Sequence, residues 1–130
     1  MAVPCNVGFA QLCLLGTGVG GTAFTYMALG TGTGQGATDS VLDAETVLAG
    51  LARVAADTTE VTTTDETGDT MRHIEKFTAG AAGHIKEAGV FNNAALDGGD
   101  MLAVGDLVPS ADLAISDELT ITFETQLKSA

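Results

Sequence analysis

Apolar and polar residues alternate most strictly near the end of the chain. There "ELTITFETQL" sets Leu119, Ile121, Phe123 and Leu127 on one side and Thr120, Thr122, Glu124 and Gln126 on the other. A period of two marks a half-buried strand, so a strand is expected from Glu118 to Leu127. The same reading predicts strands over Leu51–Thr63, Asp69–Thr78, His84–Phe91 and Met101–Val108. An earlier strand is expected in "TAFTYMALG", where both faces are apolar enough to be buried. The separators "TDETGD", "AGAAG", "NNAALDGGD" and "PSADLAISD" consist largely of residues that turns require.

Two stretches show helical spacing instead. "NVGFAQLCLLG" runs from a capping Asn6 to Gly16 with Val7, Ala10 and Leu14 at helical intervals, and it is apolar nearly all round, as in a helix held between partners. "ATDSVLDAETVLAGLARV" suggests a second short helix capped by Thr38 or Asp39, with Val41, Leu42 and Leu48 facing inward. The expected fold is all-β: an antiparallel, jelly-roll-like β-sandwich over residues 24–130, with one or two short helices and an uncharged N-terminal arm over residues 1–23. At 130 residues this makes one domain.

Composition adds that the core is thin. There is no Trp, one Tyr and five Phe against 17 Gly, and aromatic side chains supply most buried area per residue. Such a subunit gains stability from neighbours. In "IKEAGVF", strict alternation puts Glu87 on one face with Ile85 and Phe91. Either Gly89 marks a bulge that resets the pattern, or a buried carboxylate is hydrogen-bonded to backbone or to an Arg. Glu87, Phe91 and Phe123 are assigned structural roles.

The formal net charge is −12, from 17 acidic residues against Arg53, Arg72, Lys76, Lys86 and Lys128. Nucleic-acid affinity rests on cations that neutralise phosphates, so nucleic acid is not an expected partner. The charge is unevenly placed: no Asp, Glu, Lys or Arg occurs from Met1 to Thr38. An uncharged segment of that length should be covered by its own domain or by another chain. Glycines and threonines interrupt it too often for a membrane span. No positive charge precedes "FAQLCLLG", so no secretory signal is read and synthesis in the cytoplasm is expected. Val7, Phe9, Leu12, Leu14, Leu15, Phe24 and Tyr26 are the candidate docking or oligomer residues. Cys5 and Cys13 would sit about 12 Å apart along a helix axis, too far for a disulfide, and both read as small buried hydrophobes.

No chemical motif rises above the bland reading. "GTGVGG" has the letters of a dinucleotide fingerprint, but a strand-like segment follows it where a helix should begin. The run from Gly30 to Gly36 lacks the Lys-Ser/Thr of a phosphate loop. His84 and Glu87, three apart on a strand, point to opposite faces. Asp97 and Asp100 in "LDGGD" read as a hairpin turn, with calcium ligation the alternative. Neither a catalytic residue nor a cofactor or metal is expected.

The segments "FTYMALGTGTG", "TDSVLDAE", "ARV", "IKEAGVFN", "GGDMLA" and "ELTITFETQL", in this order and spacing, resemble a family of small structural proteins of tailed bacteriophages. The resemblance covers roughly Phe24 to Leu127 and implies a β-sandwich virion protein with no catalytic residues. It implies a head decoration (cement) protein that binds the major capsid protein on the capsid surface as a homo-oligomer, a trimer first. The alternative within this class is a tail or tail-fibre component. Relatives often carry an Arg after "MLA", where this chain has Val104. From another class, the rival is a small calcium- or carbohydrate-binding module using the "DGGD" loop and Tyr26.

Overall fold

Alternation sorts the side chains onto two sheets and sends them to two separate cores. The structure is a computed structural model describing residues 3–127; residues 1–2 of the expected arm and 128–130 of the expected sandwich lie outside the described residues. In chain order the elements are β1 (Val3–Pro4), α1 (Asn6–Thr17), β2 (Tyr26–Gly30), β3 (Val54–Ala55), β4 (Thr58–Thr62), β5 (Thr70–Thr78), β6 (Gly83–Phe91), β7 (Met101–Leu113) and β8 (Glu118–Gln126). They form a five-stranded sheet in the order β1-β7-β6-β2-β3 and a three-stranded sheet in the order β4-β5-β8, every pairing antiparallel. The result is a mostly-β fold with one short helix.

The main core lies where the two sheets meet. Phe77 and Phe123 of the small sheet pack into one cluster with Met27, Leu29, Val90 and Leu102 of the large one. A second cluster on the other face of the large sheet gathers Ala28, Phe91, Met101 and Val104 with Cys5 and Leu42. The large sheet is thus covered on both sides, which is why "TYMALG" is apolar at every position from Tyr26 to Leu29.

Glu87 shows how the register is reset. The β6–β7 pairing slips between Ile85 and Glu87, where β7 carries the four residues 107–110 opposite Lys86 alone. Ile85 then joins the main core while Glu87 turns to the face of Phe91. Of the two expected alternatives, the bulge at Gly89 is replaced by this slip earlier in β6, and the carboxylate is buried but without a hydrogen bond among the described residues. A second slip, between Val90 and Phe91, lets Leu102 and Ala103 both enter the main core.

Five further expectations need correction. No helix forms over 38–50: Asp39 instead accepts from the Gly36 amide at 2.6 Å and closes a turn. Beyond it, Thr31 donates to Ala44 O and Thr46 to Leu29 O, so the chain runs extended beside the end of β2. The single strand expected at Leu51–Thr63 is two strands in different sheets. The break falls where the Ala56 amide turns to Thr25 O and the Asp57 amide to the Glu75 carboxylate. α1 is preceded by Cys5 in extended conformation with no side-chain cap, so Asn6 does not cap it, and it ends at Gly18 with φ 72. Finally, Cys5 is buried but Cys13 is exposed, and Leu127 lies past β8, half exposed.

The start of the arm is tied to the large sheet. β1 pairs with Val104 and Ala103 of β7, and the Cys5 amide donates to Leu102 O at 2.9 Å. Gly8 is pressed against the same strand: a Cβ there would lie 2.7 Å from the Leu102 Cα. That contact is possible only for glycine and brings the helix axis close to the sheet.

Candidate functional site

Because Gly8 is the point of closest approach, α1 buries only a narrow stripe. Val7, Gly8, Gln11 and Leu12 face the domain, and the rest of the helix is open to solvent. Phe9 is 44 % exposed, Leu14 37 % and Leu15 39 %, and Val19 beyond the helix is 77 % exposed. No charged residue interrupts this face. Single exposed apolar residues are ordinary; at 3.6 residues per turn Phe9, Leu14 and Leu15 lie on different sides of α1, and together they make its uncharged surface the candidate site.

The expected docking residues therefore divide. Phe9, Leu14 and Leu15 are available at the surface. Leu12 is half-buried against the main core, and Val7 and Tyr26 against the second cluster. Phe24, at 6 % exposure, belongs to the main core and is corrected to a structural residue. The residues assigned to structure, Glu87, Phe91 and Phe123, are all buried, and so is Val104.

Between α1 and the small sheet lies an apolar groove of about 270 Å³, lined by Leu12, Leu15, Ala23, Val61, Met71 and His73 among others. Its polar floor is His73, whose Nε2 lies 2.8 Å from Phe24 O. A carbonyl only accepts, so Nε2 carries the proton and donates. Nδ1 is buried without a partner among the described residues. Burial lowers the His73 pKa from its ordinary value, with the Phe24 bond opposing, and the ring stays neutral at neutral pH.

The face of the large sheet that carries α1 is held by a group that periodicity did not reveal. Arg53 binds Glu45 through two nitrogens, Nε to Oε2 at 3.0 Å and Nη2 to Oε1 at 2.5 Å, with both side chains almost fully buried. Its Nη1 donates to Asn93 O and Gly98 O, each at 2.9 Å, and the guanidinium lies 3.7 Å from the centre of the Phe91 ring. One side chain thus ties the 31–50 segment to the β6–β7 loop. In that loop Asp100 accepts from Gln11 of α1 at 2.7 Å, and its own amide donates to Asn92. The "DGGD" segment is a structural turn with Asp97 and Gly99 at positive φ.

The glycine runs have separate explanations. Gly18 closes α1 in the left-handed region and its amide returns to Leu15 O, so "GTGVGG" ends a helix where a dinucleotide motif would open one. Gly30 and Gly32 leave room for a carboxylate: a Cβ at Gly30 would overlap Glu87 Oε1, and one at Gly32 would lie 3.2 Å from it. Glu87 is fully buried, and neither carboxylate oxygen has a hydrogen-bond partner among the described residues. Burial raises its pKa, Asp43 and Asp106 add to the rise, and the nearby amides of Ala44 and Gly32 offset part of it without reaching hydrogen-bond geometry.

A pH dependence follows. With the folded pKa above the ordinary 4.5, the folded state holds a proton that the unfolded chain releases. The Glu87 contribution is complete below the unfolded pKa and is lost as pH rises through the folded one. Glu87→Gln should be more stable than the parent at pH 8 and lose that advantage at pH 4. Denaturant midpoints of both proteins at the two pH values check this; a difference independent of pH would contradict it.

Among the described residues, no group of three His, Cys, Asp or Glu is placed to hold a metal ion, and no helix is long and apolar enough to cross a membrane. Comparison with protein-family models and with curated proteins gives no match.

Proposed function

We propose that this protein is a structural subunit of a tailed-phage virion, a capsid decoration (cement) protein that docks on the major capsid lattice through α1. The two sheets are read as its jelly-roll-like sandwich. The observation that carries the proposal is the uncharged, solvent-facing side of α1 on a domain of net charge −12. An acidic body repels packaged DNA, and a charge-free helix face gives a surface where a protein partner can approach without desolvating charge. The mechanism is additive burial. Each copy covers a modest apolar area on neighbouring capsid subunits, and many copies together resist internal pressure. The sequence resemblance over Phe24 to Leu127 points to the same class.

The test separates docking from folding. Phe9→Ser and Leu14→Ser change residues that face solvent, so each should alter stability by less than about 1 kcal/mol. The double variant should fold and fail to occupy particles when it replaces the parent protein during phage growth. Immunogold labelling of the parent on intact virions reads the location: gold on heads supports the proposal, gold on tails selects the tail component instead. A double variant that occupies particles normally would contradict docking through α1.

A further inference from the structure

The four sheet edges differ in how well they are protected. β1 and β3 are two residues long, and β4 is five, with Glu60 at its centre. β8 is nine residues long and contains no Pro, Gly or Lys, so of the usual devices that keep an edge from pairing it has only the charges of Glu118 and Glu124. We propose that β8 is a self-pairing edge: two copies of this chain associate by antiparallel pairing of their β8 strands about a two-fold axis at Thr122, joining their small sheets into one of six strands.

The backbone fixes which groups are free. Leu127 N donates to Asp69 O at one end of the β5–β8 ladder, and Ala79 N to Asp117 O at the other. Hydrogen-bonding direction alternates along a strand, so Leu119, Ile121, Phe123 and Thr125 turn their amides toward β5. Glu118, Thr120, Thr122, Glu124 and Gln126 turn theirs outward, where no strand among the described residues receives them.

Charge is compatible with this register. Pairing about Thr122 sets Thr122 against its copy, Thr120 against Glu124 and Glu118 against Gln126. All the outward residues find a partner and no acid faces an acid. Centring on Ile121 would oppose Glu118 and Glu124, and centring β4 on itself would oppose two copies of Glu60; like charges across a strand pair are destabilising. Both acids of β8 are already matched within each copy, Glu118 by Lys76 at 2.5 Å and Glu124 by Arg72 at 3.5 Å. In a protein of net charge −12, this strand can approach its copy with little repulsion.

Apolar burial favours the same pairing. A cleft of about 340 Å³ lies between β8 and Gly105–Leu107 of β7, and it leaves Ile121 half-exposed beside Phe123. The second copy places its Phe123 opposite Ile121 and its Thr125 opposite Leu119. This surface is distinct from α1, so the inference stands whether or not the virion reading holds.

Sedimentation velocity of the full chain should show a dimer. Thr122 is exposed, so Thr122→Glu and Thr122→Lys should keep the parent's thermal midpoint while weakening self-association about fivefold or more through like charges at the axis. Mixing the two should restore a heterodimer, a result specific to a two-fold at this residue. Thr122→Pro removes an outward amide without touching the β5 ladder, and should be monomeric and folded. Added salt should strengthen the parent dimer by screening its net charge. A monomeric or trimeric parent protein, or a mixture of the two charged variants that stays monomeric, would overturn the proposal.

Discussion

Phe123→Ala should destabilise the protein by about 3 to 5 kcal/mol, the range for removing an aromatic ring from a closed core. Phe123 is 6 % exposed and packs in the cluster shared by the two sheets. The surrounding strands hold it on one side through nine paired positions between β5 and β8, so the site cannot collapse easily around the void. Thr122, its neighbour, is exposed, and Thr122→Ala should change stability by less than about 0.5 kcal/mol. A domain of this size has about 5 to 15 kcal/mol in total, so the first variant should yield little soluble protein and the second a normal amount. Denaturant midpoints of both check the assignment; equal, small effects would contradict it.

Arg53→Ala is expected to be comparably severe, about 3 to 5 kcal/mol, because it leaves a buried carboxylate without its partner. Glu45 would be left with neither its partner nor access to water, and the carbonyls of Asn93 and Gly98 would lose their donor. The ring of Phe91 would also lose the cation stacked on it. Replacing both members together, with Glu45→Leu and Arg53→Met, should cost clearly less than the two single changes added, since removing the pair removes the unmatched charge. A double-mutant cycle in denaturant measures the difference. Additive, small effects would mean the clamp contributes nothing to holding the 31–50 segment on the sheet.

The strands were legible wherever one face is buried and the other wet, as in β8, because alternation records that asymmetry directly. They were also legible in β5 and β6 and at the start of β7, but β7 runs on to Leu113, past the expected Val108 and into the segment expected as a separator. The segment from Thr38 to Gly50 was misread because its acids and apolar residues have the letters of a capped helix. Asp39 serves a turn instead, and Glu45 is drawn to Arg53, a partner that no local spacing announces. The long strand expected from Leu51 failed for a similar reason: its break depends on Thr25 and Glu75, residues distant in sequence.

The candidate site was legible in part. The absence of charge up to Thr38 pointed to α1, and Phe9, Leu14 and Leu15 do face solvent. What the pattern could not say is which side of a helix apolar all round would be buried. Gly8 decides that, because only the residue without a side chain allows β7 to come close. The glycines from Gly30 to Gly36 were read only as lacking the Lys-Ser/Thr of a phosphate loop. Gly30 and Gly32 instead accommodate Glu87, and the signal that could have found this was the carboxylate at an apolar position of β6.

If the charge-free face of α1 is covered in an assembled particle, as proposed, the chain carries its own probe of that covering. Cys13 lies exposed on that face, whereas Cys5 is buried and burial, with Asp39 adding to it, pushes its thiol up to about 11. A maleimide therefore reports on Cys13 alone under native conditions. Labelling the free protein and intact virions side by side, then reading modification of this chain by mass spectrometry, measures the covering directly. The account predicts rapid modification of Cys13 in the free protein and protection in the particle; equal modification in both, or virions that lack the chain, would contradict it.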